Sequence, residues 1–520
     1  MKRETQLLQL QEKSKVWDFV VIGGGSTGVG IALDAAGRGY NVALFEKFDF
    51  AKATSSRSTK LVHGGVRYLQ QGDIALVMEA LHERGLLYRN APHLVKKQPF
   101  LIPCFRWWES AFYGIGLTFY DLLAGHLSMG RSMVHKASTS LKKVPGLRKA
   151  GLFAGVKYYD GQFDDSRLII NLAETAVEKG ACVLNYMKVT GLLKENGQVS
   201  GVRVNDQETG TEYEVKSKAV INATGVFADD IMLMDAPENR PKVRPSQGVH
   251  LVLDKSFLQG DCAIMIPKTD DGRVLFAVPW HEKVVVGTTD TLREVAEDEP
   301  VALESEIKFI LDTAGRYLTR APQRSDVLSV FAGLRPLAAP SGEGKKTKEI
   351  SRSHKLIVSP SSLITIIGGK LTTYRRMAKD TINKAIKCKL VPEKKCVTAH
   401  LHIHGYLPNP DIFNPYYVFG SDQDAMHQFA ASVERYQHRL HPSFDYRVGD
   451  IVWVVRNEMA RTVEDVLARR FRILFLDARV AIEMAPEVAA IIAEERGLDD
   501  EWRKKQITDF TAVASNYILE

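Results

Sequence analysis

Apolar and polar positions alternate in several distinct textures along the chain. Residues 18–22 (DFVVI) form a short, nearly continuous apolar run, followed by a glycine turn, a stretch of small apolar residues to about 38, and a second run at 41–46 (NVALFE). This predicts a strand, a helix and a second strand in one βαβ unit. An alanine-rich helix over 171–179 then leads into short strands at 182–189, 199–204, 212–215 and 219–223, with turns at 195–197 and 208–210, which reads as a meander. LITIIGGKLTTYRRMAKDTINKAI repeats the opening grammar, with a strand at 363–367, two glycines and a helix. Extended runs at 249–253, 275–278 and 284–286 suggest a sheet, and residues 91–159 are rich in aromatics and prolines. From about 391 the apolar spacing turns helical, and the polar run 341–355 reads as a loop or hairpin.

The first βαβ unit carries G-x-G-x-x-G at Gly23, Gly25 and Gly28. The first glycine permits the tight turn, the second a close approach of pyrophosphate to the backbone, and the third close packing of helix on strand. Free N–H groups at the helix start then face the phosphates. Glu46 ends the second strand, placed to accept hydrogen bonds from an unphosphorylated ribose, which points to FAD or NAD rather than NADP. VINATG, running into Gly225, and the GGK turn bring distant segments back towards the same ligand, which favours the larger flavin nucleotide.

With 520 residues, two to four domains are expected. A hydrophobic fraction of 45% with 25% charged residues is globular and excludes fibrous or disordered classes. The formal net charge of +7 suits an anionic substrate or an acidic membrane surface, and nothing supports nucleic-acid binding. Five cysteines without a C-x-x-C pair argue against a disulfide framework or a structural zinc site and fit the cytoplasm. The N-terminal residues lack a signal peptide's apolar core, and the weakly charged stretch 110–120 is about half the length a membrane-spanning helix requires. His400, His402 and His404 would share one face if they lay on a strand, but no acidic or thiolate ligand lies near them in sequence, so no metal is expected.

The segment ATSSRSTKLVHGGVRYL (53–69) is crowded with groups that packing does not need, among them His63, Arg67 and Tyr68. His250 sits on an apolar strand, Arg335 lies within AGLRPL, and Lys370 opens a helix. Singly these are ordinary residues. Together they supply fixed cations for a phosphate dianion and an imidazole to take a hydroxyl proton, as oxidation of a phosphorylated alcohol requires.

The ordered motifs GGGSTGVGIALDAAGRGYNVALFEK, ATSSRSTKLVHGGVRYL, INATGVFAD, SQGVHLVL, VVVGTTDT, AGLRPL, ISRSH and GGKLTTYR resemble the FAD-dependent glycerol-3-phosphate dehydrogenase family over residues 17–380. The helical tail is similar to that family's C-terminal domain. The resemblance implies an α/β fold with an FAD-binding Rossmann-like domain of glutathione-reductase type (16–90, 160–239 and 326–390), an antiparallel-sheet substrate cap (91–159 and 240–325) and a C-terminal helical domain (391–520). It implies oxidation of sn-glycerol 3-phosphate to dihydroxyacetone phosphate, with hydride passing to the flavin and electrons to a membrane quinone; an oxygen-using oxidase and a non-catalytic flavoprotein that binds RNA or partners are the rivals. Carried over by position, Gly23, Gly25, Gly28 and Glu46 hold the ADP half of FAD, and Ser55, Ser56, Lys60 and Leu61 line the pyrophosphate and flavin. Gly225, Gly369, Leu371 and Thr372 close around the cofactor, while Arg67, Tyr68, Arg335 and Lys370 face the substrate. His63 and His250 compete for the base role, with His63 favoured because its adjoining glycines let the backbone approach the flavin. No EF-hand loop is found, so a bacterial-type enzyme is expected, cytoplasmic and peripheral on the inner face of the plasma membrane. The aromatic stretch 103–126 is the candidate lipid contact, and a homodimer is left open.

Overall fold

The computed structural model describes all residues except 13, 71, 268, 270, 271 and 340–352, together with the side chains of Arg67 and Gln70. The polar run 341–355 therefore lies outside the described residues except at 353–355, where the strand His354–Val358 begins.

Two sheets organise the chain. The first holds eight strands among the described residues, in the order His354–Val358, Ile364–Gly368, Glu212–Asn222, Val16–Ile22, Val42–Phe45, Cys182–Leu184, with Met187–Glu195 and Gln198–Asp206 attached as a meander. Val16–Ile22 lies parallel to both neighbours, as a βαβ crossover requires. All four residues of Val42–Phe45 are buried, the signature of a strand covered on both faces. One face of the sheet packs Phe19 and Val21 against helices, including Ser26–Gly37 and Asp165–Glu178, while the other packs Val20 and Ile22 against Val202, Val204 and Val215 of the meander.

Two expectations for this sheet are corrected. The strands expected at 212–215 and 219–223 are one continuous strand, Glu212–Asn222. Its first half pairs antiparallel with the meander and its second half parallel with Val16–Ile22, so the change of burial pattern marks a change of partner, not a break. Conversely, the run at 182–189 is interrupted at Tyr186, whose φ of 56° ends one strand before Met187 begins the next.

The second sheet holds ten strands among the described residues. Its spine is the long antiparallel pair Val243–Asp254 and Val327–Ala338, extended through Lys283–Gly287, Leu275–Trp280 and Ala263–Ile266 to Val95–Cys104 and Ala154–Phe163. The aromatic stretch contributes the helix Trp107–Ala124 on its surface. None of the described helices is long and apolar enough to cross a membrane.

Beyond residue 400 the chain is mainly helical, with Val448–Asn457, Ala478–Arg496 and Asp500–Ser515 the main helices. A two-stranded hairpin, Arg439–His441 with Phe444–Arg447, is an element the periodicity does not reveal. The row of three histidines is not on a strand: His400 closes a short 3₁₀ turn, His402 stacks on Tyr406, and His404 is clasped by Glu178 and Asp422. Among the described residues no group of three His, Cys, Asp or Glu side chains is arranged to hold a metal ion.

Candidate active site

A cavity of about 970 Å³ runs between the two sheets, lined by the glycine turns of the first and by side chains of the second. At one end the helix Ser26–Gly37 begins without a side-chain cap, and the N–H of Ser26 donates to Ser55 Oγ at 2.9 Å. Gly23 has φ 110°, and a Cβ there would lie 2.7 Å from the carbonyl of Ala223. Gly28 does not line the cavity; a Cβ on it would sit 1.9 Å from the Gly23 carbonyl, so its bare backbone is what lets the helix close onto the turn. Glu46 accepts from the N–H groups of Gly24 at 2.6 Å and Phe48 at 2.8 Å, leaving each oxygen a lone pair towards the cavity. Burial lifts its carboxyl above the usual range in spite of these two donors. Uncapped N–H groups, glycines where side chains would collide, and a fixed acceptor suit the phosphates and ribose of a dinucleotide.

Across the middle, Ser55, Leu61, Gly225, Gly369, Leu371 and Thr372 all reach the cavity wall. Ser56 and Lys60 do not, which corrects the expectation that their side chains line it. The Ser56 hydroxyl turns to the carbonyl of Ala53. Lys60, with φ 62°, points beneath the loop to Asp165 at 2.8 Å and the Ser56 carbonyl at 2.6 Å. Burial, opposed by Asp165, lowers its ammonium to about 7. Arg472, from the C-terminal region, donates to the same carboxylate and the same carbonyl, both at 2.9 Å. The loop 54–60 is thus held from below by a buried charge cluster, of which the sequence reading had only Lys60. The run LARRFR was its available signal, because three arginines in an otherwise apolar stretch call for buried acceptors.

The far end gathers the chemistry. Arg335 donates to the carbonyls of Gln247 at 3.2 Å and Thr289 at 3.1 Å and to Thr288 Oγ1 at 3.1 Å, with Asp290 at 3.6 Å. Gly248 makes room for it, since a Cβ there would lie 2.2 Å from the guanidinium. Lys370 rests its ammonium 3.8 Å above the ring of Tyr68, which in turn packs against Gly65. Arg67 lies on the same short helix as Tyr68, but its side chain is outside the described residues. Arg273 also reaches this wall and was not anticipated from sequence, nor was Asp160.

Both candidate bases face the cavity. His63 is half-buried at the end of the strand Leu61–Val62, its ring 6.5 Å from that of Phe276. His250 is 2% exposed, stacks on Phe331 and shares a 2.9 Å hydrogen bond between Nε2 and Thr59 Oγ1. Burial, reinforced by the charges of Lys60 and Arg335, holds its pKa well below that of a free imidazole, so His250 is neutral. A neutral ring with one nitrogen engaged by Thr59 is suited to fixing a substrate hydroxyl.

Comparison with known proteins identifies the family of the fold. Residues 18–368 match the family model described as FAD dependent oxidoreductase, and 364–503 that of the C-terminal domain of alpha-glycerophosphate oxidase. The chain is 38% identical to the mitochondrial glycerol-3-phosphate dehydrogenase of Homo sapiens over 97% of its own length and 74% of that protein's. Against the Schizosaccharomyces pombe enzyme of the same name the identity is 38%, over 96% and 87% of the two chains. Among solved structures, the glycerol-3-phosphate dehydrogenase from Bacillus halodurans, complexed with FAD, superposes with a TM-score of 0.81 at 29% identity, covering 99% of this chain and 97% of that one.

Proposed function

The chain belongs to the FAD-dependent glycerol-3-phosphate dehydrogenase family, and from that premise we propose that it oxidises the secondary alcohol of sn-glycerol 3-phosphate to dihydroxyacetone phosphate and passes the electrons to a membrane quinone. The observation that carries this reading is a single cavity lined by Arg335, Lys370, Arg273 and two imidazoles together with turns built for a dinucleotide. Residues 16–90, 160–239 and 326–390 carry the cofactor in this reading, except that the strand Val327–Ala338 pairs into the second sheet and brings Arg335 to the substrate; 91–159 and 240–325 cover the substrate, and 391–520 brace the cofactor loop.

FAD would be held along Gly23, Gly25, Ser26, Glu46, Ser55 and the 368–372 turn, and would supply the two-electron acceptor. The chain's own groups do the rest. Arg335 and Lys370 clamp the phosphate dianion, so that glycerol without the phosphate lacks the main orienting contact. His63 accepts the proton of the C2 hydroxyl as hydride leaves C2 and the carbonyl forms. Neutral His250 orients that hydroxyl from the strand Val243–Asp254 of the same sheet.

A quinone acceptor calls for contact with a membrane, and the helix Trp107–Ala124 offers one. Trp108, Phe112, Ile115, Phe119 and Leu122 recur four and three residues apart along its outer face, with Ile115 74% and Leu122 71% exposed. Arg106, Arg131 and Lys136 are exposed around it, the composition of a surface that lies on an anionic bilayer without spanning it.

The test is anaerobic absorbance of the flavin-loaded protein. Bleaching by sn-glycerol 3-phosphate and not by glycerol is expected, followed by reoxidation by a soluble quinone faster than by oxygen. Persistent oxidised flavin would refute the substrate; faster recovery in oxygen would make the protein an oxidase.

A further inference from the structure

Three side chains to which the proposed reaction assigns no role converge on the peptide that follows His63. Tyr120 projects inward from the helix Trp107–Ala124, Arg84 comes from the helix Ile74–Asn90, and Asp160 from the strand Ala154–Phe163. Each is no more than 2% exposed. The Tyr120 hydroxyl donates to Asp160 Oδ2 at 2.9 Å, and Arg84 Nη1 donates to Asp160 Oδ1 at 2.6 Å. The Tyr120 oxygen accepts in turn from the backbone N–H of Gly64 at 2.9 Å, with Asp160 Oδ1 a longer second acceptor at 3.4 Å.

That N–H belongs to the peptide joining His63 to Gly64. Pinning it fixes the plane that begins at the His63 carbonyl, and with it the ψ of His63 and the direction of its Cα–Cβ bond. The next residue, Gly65, has φ 85°, a conformation that leaves the turn little stiffness of its own. Gly64 is also shaped for the contact, since a Cβ there would lie 2.4 Å from the Tyr120 oxygen.

Filling space does not explain the cluster. A buried ion pair is often no more stable than apolar residues of the same volume, so a site that only required packing has no use for Arg84 and Asp160. Their chemistry does explain the hydroxyl's orientation. The Asp160 carboxylate obliges the Tyr120 proton to point at it, which turns the oxygen's lone pairs towards Gly64. Arg84 compensates the carboxylate, and that carboxylate holds the guanidinium pKa above its ordinary value against the effect of burial. Tyr120 stays un-ionised for the same reasons, because burial and the neighbouring carboxylate raise its phenol well above the usual value.

We propose that Tyr120, oriented by Asp160 and Arg84, is the positioning residue that aims His63 at the C2 hydroxyl of the substrate. The inference rests on the reading of His63 as the base. An error of about 1 Å in a reacting group costs on the order of a hundredfold in rate, so the loss of one pinning bond is visible in the chemistry.

The experiment is the rate of flavin reduction in the loaded enzyme by anaerobic stopped flow, for wild type, Y120F, H63N and the double variant, with substrate affinity read from the concentration dependence. In the wild-type background Y120F slows reduction about tenfold to a hundredfold while apparent affinity and the flavin spectrum stay within about twofold. In the H63N background the same substitution changes the rate less than about twofold, because there is no longer a base to aim. D160N serves as a second variant, with the same non-additive pattern expected. Equal slowing by Y120F in both backgrounds, or none in the first, overturns the proposal. If H63N itself reduces flavin at the wild-type rate, the base assignment fails, and the inference falls with it whatever Y120F does.

Discussion

Replacing Arg472 by methionine tests whether the C-terminal region braces the cofactor loop. The side chain is 1% exposed and makes hydrogen bonds of 2.9 Å to Asp165, to the Ser56 carbonyl and to the Ala468 carbonyl, with Asp164 at 3.6 Å. Methionine restores most of the volume, so the effect is electrostatic. Two buried carboxylates lose a cation, which costs about 3–5 kcal/mol when nothing replaces it. Asp165 keeps Lys60 at 2.8 Å and the Ser58 hydroxyl at 2.7 Å, so the low end applies, about 3 kcal/mol. Because the freed groups sit under residues 54–60, much of that loss falls on flavin binding. FAD affinity of R472M is expected to drop about tenfold to a hundredfold, one to two factors of 1.4 kcal/mol. Titration of the apoprotein with FAD reads this directly, and thermal unfolding of the same samples shows an accompanying loss of several degrees. R472M that binds FAD within twofold of wild type, while melting several degrees lower, would show that the brace supports the fold but not the loop.

Substituting Gly28 by alanine places a Cβ against the Gly23 carbonyl, and G28A is expected to purify without flavin; a yellow G28A protein contradicts the assignment of this turn. R335M removes a charge-assisted contact to the phosphate worth about 1.5–3 kcal/mol, so kcat/KM for sn-glycerol 3-phosphate falls roughly ten- to a hundredfold, as steady-state kinetics of the flavin-loaded protein would show. Two groups, half-buried His404 and buried Lys60, give the unfolding free energy opposing pH dependences. His404, raised from 6.5 to about 10 chiefly by Asp422 and Glu174 against the effect of burial, stabilises fully below pH 6.5 and loses that contribution as pH rises towards 10. Lys60, depressed from 10.5 to about 7, does the reverse, since the unfolded chain keeps its proton to higher pH and stability rises between pH 7 and 10.5. H404Q should therefore steepen the rise in stability with alkaline pH, and K60M should expose a fall, both measurable by denaturant unfolding at fixed pH steps.

Local patterns made the cofactor end legible. A turn such as Gly23–Gly28 is specified within six residues, because the steric demands that forbid a Cβ act between neighbours in sequence and in the adjoining strand. The residues of the reaction site were recognisable as types, and the cavity collects His63 and Tyr68, His250, Arg335 and Lys370 from four separate stretches of chain. Whether a charged side chain faces ligand or core is another matter. Lys60 and Ser56 sit inside a motif full of cavity-lining residues, and only the arrival of Arg472, more than 400 positions later, shows that they turn inward. Tyr120 and Asp160 meet Gly64 across gaps of 56 and 96 residues, distances over which no local periodicity operates. The same limitation hid the continuity of Glu212–Asn222, whose two halves are specified by different partners.

The strand order of the first sheet also sets a timetable for biosynthesis. The phosphate-binding turn leaves the ribosome almost at once, yet Val16–Ile22 has one flank uncovered until Glu212–Asn222 is made, and that strand in turn waits for Ile364–Gly368. Arg469 and Arg470, which pair with Asp49, and Arg472, which shares Asp165 with Lys60, come another hundred residues later. A nascent chain therefore exposes sheet edges and bare buried-type charges for most of its translation. Flavin capture is a late event in the life of each molecule, and a ribosome that stalls before residue 470 leaves a product with the fingerprint of a flavoprotein and no firm hold on its cofactor.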